Sequence, residues 1–176
     1  FSYIYGYNNS IVMFARYILK KKYDFKKDCK SVKIVIVTSE ICTKWDRLVM
    51  EEAFKVPIVS EYGASEVGYI GSELKPNVWM VAKENVFLEN GKNGNILVTS
   101  LHNKAMPFIR YNIGDIGQID LDSDGYQIIN GLKGRENDAI LLPSGKVCAG
   151  LTFYYISRSI LENSGNLKEF TIRQTS

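Results

Sequence analysis

Apolar positions Ile11, Val12, Phe14, Ala15, Ile18 and Leu19 recur at the spacing of one helix face. Ser10 stands before them as a capping residue, and Lys20, Lys21 and Lys22 follow, where cations suit a helix C-terminus. "VKIVIV" (32–37) is different: a short, β-branched, uninterrupted apolar run, as in a parallel strand covered on both faces. Thr43 then predicts a second helix, with Asp46 as capping partner and Trp45, Leu48, Val49, Ala53 and Phe54 inward. "VPIVSEYG" (56–63) returns as a second strand, so strand, helix and strand form a βαβ unit with a right-handed crossover.

From Val78 the period shortens. "WMVAKENVFLEN", "GNILVTSL", "FIRYNIGDIGQID" and "YQIING" are short runs parted by Gly-Lys-Asn-Gly and Asp-Ser-Asp-Gly, which is hairpin chemistry. The polar, glycine-rich "GLKGREND" reads as a linker, with a domain boundary at 134–137. A hairpin around Pro143-Ser144-Gly145, a helix near 151–162 and a last strand within 167–176 follow. The expected fold is α/β: a parallel βαβ layer (1–80), an antiparallel, barrel-like sheet (81–134), and the start of a small α+β C-terminal domain (135–176).

Composition narrows the function classes. Hydrophobic residues make 45% of the 176 and charged residues 23%, as in globular proteins, and the net charge of +3 is too mild to point to nucleic acid. Cys29, Cys42 and Cys148 show no CxxC spacing and read as reduced thiols of a cytoplasmic protein. His102 is the one histidine, which excludes His-rich metal sites. No apolar run reaches the roughly 18 residues of a membrane span. Phe1 opens the chain and a strand pattern closes it, so the expectation is a piece of a longer protein.

Three lesser motifs have plain readings. Asp120, Asp122, Asp124 and Gly125 begin like an EF-hand loop, but Gly131 stands where the closing Glu belongs, so they form a hairpin turn. The run "KKKYDFKKDCKSVK" interleaves its cations with Asp24 and Asp28, as a solvated helix end does. Asn8-Asn9-Ser10 is a glycosylation sequon, idle in the cytoplasm.

The chemistry gathers in three places. In open α/β sheets ligands bind beyond the carboxyl ends of strands, here "TSE" (Thr38, Ser39, Glu40) and "SEYGASE" (60–66). Tyr62 can stack on a flat ring, and Gly63 permits close backbone approach. Ser65 can donate to a phosphate, and Glu66 is a hard oxygen ligand suited to Mg²⁺. In "FIRYNIGDIG", Asp115 can accept both hydroxyls of a ribose, with Arg110 nearby. Gly134, Arg135, Glu136, Asn137 and Asp138 form the third cluster. Each also has a structural reading, as a turn, a hairpin aspartate and a charged interdomain segment.

In that order and spacing, "EYGASE", "IRYNIGDIG" and "GRENDAI" resemble the adenylate-forming superfamily of acyl-CoA synthetases and luciferases. "TSE", "YGASE" and the opening "YIYGYNNSIVMFARYIL" further resemble its phenylacetate–CoA ligase branch and the CapK-type proteins of capsular polysaccharide biosynthesis. The resemblance implies ATP and Mg²⁺ as cofactors, a small carboxylic acid as substrate, and CoA among the candidate acceptors. It implies no nucleic-acid partner. It assigns Glu61, Tyr62 and Gly63 to the adenine pocket, Ser65 to the α-phosphate, Glu66 to the metal, Asp115 and Arg135 to the ribose or phosphate, and Asn137 to a hinge. Ser65 and Glu66 are thereby the expected catalytic residues. The superfamily's Ser/Thr/Gly-rich phosphate loop and its C-terminal lysine have no counterpart here, and Asn137 stands where aspartate is common. A catalytically inactive nucleotide-binding or scaffold module of a polysaccharide pathway is the alternative reading.

Overall fold

The computed structural model describes residues 1–136, together with 140–141, 144–145 and 147–148. Nine strands form one sheet whose first three members are parallel and whose remainder is antiparallel. The parallel part comprises β1 (Tyr3–Tyr7), β2 (Ile34–Thr38) and β3 (Ile58–Ala64). Helices α1 (Asn8–Lys20) and α3 (Lys44–Phe54) pack together on one face of it, with the one-turn α2 (Phe25–Asp28) beside them. Val35 and Val37 of β2 meet Val12, Ala15 and Ile18 of α1 and Met50, Ala53 and Phe54 of α3 in one buried core. The rings of Phe14, Phe25 and Phe54 stack edge-on or tilted along its rim.

The helix starts were partly legible. Thr43 and Asp46 make the expected capping box, each side chain bonding the other's backbone N–H. Ser10 does not cap α1: the helix begins at Asn8, and Glu40 takes the capping part from the end of β2. Its carboxylate accepts from the Asn9 backbone N–H at 2.7 Å and from the Asn9 amide at 2.9 Å, placing negative charge at the positive helix end. Trp45 and Leu48, expected inward, are 76% and 45% exposed. Ala53 and Phe54 are buried as expected and Val49 packs against the same core, and Asp46 and Met50 complete the inward stripe of α3. An aspartate can occupy that stripe because the capping bonds and the Asn8 amide, at 3.3 Å, satisfy it.

β3 belongs to both halves. Ile58, Val59 and Ser60 pair in parallel with Val35, Ile36 and Val37, whereas Glu61 and Tyr62 pair antiparallel with Ser72 and Gly71 of β4 (Gly68–Lys75). The stretch "SEYGASE" therefore first carries the strand through the switch in sheet direction and then ends it, at Ala64, with Ser65 and Glu66 on the following turn. β5 (Val78–Val81), β6 (Val86–Asn90), β7 (Asn95–Ser100), β8 (Tyr111–Leu121) and β9 (Gln127–Arg135) complete the sheet. The order across it is β1, β2, β3, β4, β5, β9, β8, β7, β6. β1 and β4 had no counterpart in the sequence reading, and "GLKGR" completes β9 instead of starting a linker.

The antiparallel half curls around a second core of Tyr62, Ile70, Val81, Val86, Leu88, Ile96, Val98, Ile113, Ile119 and Ile129. It remains an open sheet. Two side-chain amides act as substitute peptide groups along the β6 edge: Asn90 exchanges hydrogen bonds with the Ile119 backbone, both at 2.8 Å, and Gln127 with the Leu88 backbone at 2.7 and 3.0 Å. They answer backbone groups that an edge leaves open. Asp122 closes the β8–β9 hairpin by accepting from the backbone of Asp124 and Tyr126, with Gly125 at φ +80. This is the turn expected in place of a calcium loop. β10 (Ile140–Leu141) and β11 (Val147–Cys148) pair antiparallel, as the expected hairpin requires, with Ser144 and Gly145 between them; Pro143 lies outside the described residues. Asn137, the helix near 151–162 and the last strand lie outside the described residues.

Candidate functional site

Four of the residues singled out in the sequence, Tyr62, Glu66, Asp115 and Arg135, lie where the β3–β4 turn approaches the start of β8 and the end of β9. The turn is tight: a Cβ on Gly63 would lie 2.7 Å from the Gly68 carbonyl oxygen, so only glycine lets the two strands approach. Gly68 itself has φ +75. Between them, Ser65 is exposed and Glu66 half-buried, with one backbone bond across the turn from Val67 to Ala64 at 3.2 Å.

β8 brings Asp115 to this place by an irregularity. Three residues of β7, Asn95 to Leu97, stand opposite five of β8, from Ile116 back to Asn112. Gly114, at φ +78, and the Asn112 side chain, which accepts from its N–H at 2.9 Å, absorb the excess. Bulges of this kind re-aim side chains. Asp115 then lies opposite Arg135 in the β8–β9 pairing, its Oδ1 3.7 Å from the guanidinium Nε. Its Oδ2 accepts from the Tyr62 hydroxyl at 2.6 Å.

Tyr62 is 8% exposed and its ring packs on Trp79 at 5.8 Å between centroids. Burial first, then the Asp115 charge and hydrogen bond, drive its phenol far above the ordinary range, so it remains a donor to Asp115. The ring face that the sequence offered for stacking is occupied by the protein's own core.

A second link runs parallel to the first. Tyr111, at the head of β8, donates to Glu66 Oε1 at 3.2 Å, and its own ring meets Phe108 edge-on at 5.0 Å. The bond to Glu66, and then the charge of Glu66, raise the Tyr111 phenol, while the Arg135 charge opposes them. Tyr111 thus feels both the Glu66 carboxylate and the Arg135 guanidinium that faces Asp115. Sequence reasoning passed over it, although it sits inside "IRYNIGDIG".

Two other candidates go elsewhere. Glu61, one residue before Tyr62 and on the other face of the strand, accepts from Tyr5 of β1 at 3.1 Å. Arg110 adopts φ +51 and pairs with Glu89 of β6 at 3.2 Å, so it does not join Asp115. Arg47 of α3 has a bracing part: its guanidinium donates to the Ile58 carbonyl and to Glu73, tying the helix to β3 and β4 at the end away from their turn.

Among the described residues no three His, Cys, Asp or Glu side chains cluster to enclose a metal. Glu66 offers one carboxylate oxygen beyond the one engaged by Tyr111. That donor set fits Mg²⁺, which keeps its waters and is held by one or two carboxylates plus substrate phosphates, and does not fit an all-protein cage. A groove of about 460 Å³ lined by Tyr69, Ser72, Met80, Lys83 and Tyr126 lies along β4 and β5 and shares no residue with the Asp115 and Glu66 clusters.

The chain matches no protein-family model and no curated protein. It is similar in fold to solved acyl-CoA ligases and to the A domain of a carboxylic acid reductase. An open conformation of 2-hydroxyisobutyryl-CoA ligase with 2-HIB-AMP and CoA superposes on 93% of this chain at a TM-score of 0.68 and 16% identity, over 42% of its own length. The anthranilate-CoA ligase AuaEII with anthranoyl-AMP aligns over 84% of this chain and 32% of its own, with a TM-score of 0.56 and 18% identity. The A domain of carboxylic acid reductase from Segniliparus rugosus, bound to AMP and a carboxylic acid, aligns over 84% and 29%, with a TM-score of 0.61 and 11% identity. The chain thus spans less than half the length of these structures.

Proposed function

We propose that the chain is part of an ATP-dependent, AMP-forming ligase that activates a carboxylic acid as its acyl-adenylate and passes the acyl group to CoA or another acceptor. One observation carries the reading: Tyr62, Asp115 and Arg135 form a bonded cluster beside the Tyr111–Glu66 pair, on a fold similar to that of ligases solved with acyl-AMP. In the first half-reaction a carboxylate oxygen attacks the α-phosphorus, the bond to the bridging oxygen breaks, and pyrophosphate leaves. Little proton transfer is needed, so fixed charges and donors outweigh a general base.

Asp115 would hold the ribose hydroxyls, oriented by Tyr62, with Arg135 opposite it to meet ribose or phosphate. Ser65 would donate to the α-phosphate from the exposed turn, and Gly63 would lie along the wall of the adenine pocket. Magnesium, when bound, would neutralise charge on the phosphates, with Glu66 as its protein ligand. Asn137 would serve as the hinge at a domain boundary near 135. The finer reading, carried by the sequence motifs alone, is a cytoplasmic, phenylacetate–CoA ligase-like enzyme of the CapK type acting in capsular polysaccharide synthesis.

The test is ATP–pyrophosphate exchange by the intact protein across a panel of carboxylic acids. Acid-dependent exchange is expected, and Asp115→Ala should weaken ATP binding about tenfold or more in calorimetry. Unchanged affinity in that variant would remove Asp115 from the nucleotide site. Tight ATP binding with no exchange for any acid would leave a nucleotide-binding scaffold instead.

A further inference from the structure

We infer that Tyr111 is a positioning residue for Glu66, holding one carboxylate oxygen so that the other faces a nucleotide-bound magnesium. The inference rests on the nucleotide reading of the site and adds a residue to it. Glu66 sits on a turn with a single backbone bond across it, and its neighbour Ser65 is exposed. Left to such a turn, a glutamate samples many rotamers, and ordering it on binding costs affinity.

Tyr111 supplies the missing restraint from another part of the sheet. Its hydroxyl donates to Oε1, while its ring is fixed edge-on to Phe108, whose carbonyl in turn accepts from Ser100 at 2.9 Å. Its backbone is paired with Val98 of β7. The phenol is therefore a rigid arm anchored in the second half of the molecule. A ligating carboxylate is commonly oriented in this way by an outer hydrogen bond, and losing such a bond lowers metal affinity about 10–100-fold. Tyr111→Phe keeps the ring contact and removes only the hydroxyl, from a side chain that is 36% exposed.

The experiment is calorimetric titration of the intact protein with adenosine 5′-(α,β-methylene)triphosphate, in magnesium and in EDTA. Wild type should bind more tightly in magnesium. Tyr111→Phe should reduce that magnesium-dependent gain about tenfold while leaving affinity in EDTA unchanged. Glu66→Gln should abolish the gain, and adding Tyr111→Phe to it should change nothing more. A gain that survives Tyr111→Phe intact overturns the positioning role alone. Equal weakening with and without magnesium also overturns it, since a general structural role would act on both. No magnesium dependence in wild type overturns the reading of Glu66 and the Tyr111 role together.

Discussion

In the parallel half, the polar side chains of Asp46, Asn8 and Glu40 serve the helices. Asp46 closes a capping box three residues from its partner and takes the Asn8 amide, and Glu40 caps α1. In the antiparallel half, the corresponding bonds join distant strands: Tyr62 reaches Asp115 across 53 positions and Tyr111 reaches Glu66 across 45. The first set completes secondary structure, whose orphan N–H groups must be met in any event. The second set is not needed to satisfy a helix end or a ladder, and it gathers two carboxylates and a guanidinium at one place. A polar side chain that secondary structure does not demand is the better guide to chemistry.

That contrast can be broken most forcefully at Phe54. The side chain is fully buried between the Phe14 and Phe25 rings and holds α3 to the parallel half. Phe54→Ala should cost about 3–5 kcal/mol in urea unfolding. A loss below about 1 kcal/mol would mean that polar links, not packing, hold that half together.

Tyr62→Phe tests the other side of the contrast at the seam. It keeps the ring on Trp79 and leaves Asp115 without its buried donor. The expected loss is about 1.5–3 kcal/mol, the range for a hydrogen bond to a charged group. Wild-type stability in this variant would show that the bond to Asp115 contributes nothing to the fold.

The smallest effect is a pH dependence in the parallel half. Burial, with Arg47 opposing, pushes the Cys42 thiol up to about 11 from an ordinary value of 9.0. The folded protein therefore favours the neutral thiol. Its contribution is fully present below about pH 9 and is lost as pH rises toward 11, because the unfolded chain releases the proton first. Stability of wild type should fall over that window more steeply than that of Cys42→Ser, measured by urea unfolding. Parallel slopes would refute it.

Much of the molecule was legible along the chain. The capping box at Thr43 and Asp46, the β2 strand and the Asp122 hairpin all follow from local spacing, where interacting groups lie within a few residues of one another; the change from parallel to antiparallel pairing was expected too, but at Val78, whereas it falls between Ser60 and Glu61. Motif order alone also selected Glu66, Asp115 and Arg135. Other features were hidden for physical reasons. β1 escaped because "YIYGY" puts exposed tyrosines at alternate positions and only Ile4 and Gly6 between them, and β4 because "GYIGSELK" buries just Ile70 and Gly71 in its middle. Trp45 and Leu48 faced outward because a satisfied aspartate took the inner stripe.

By itself, then, the sequence determined the elements, their hairpins and the chemical types available for a site. The tertiary structure decided which of those groups meet. It buried Tyr62 against Trp79 as the holder of Asp115, sent Arg110 to Glu89 and brought Tyr111 to Glu66. Such pairings depend on strand order and on the bulge before Ile116, which are set by the whole sheet and by no local run of residues.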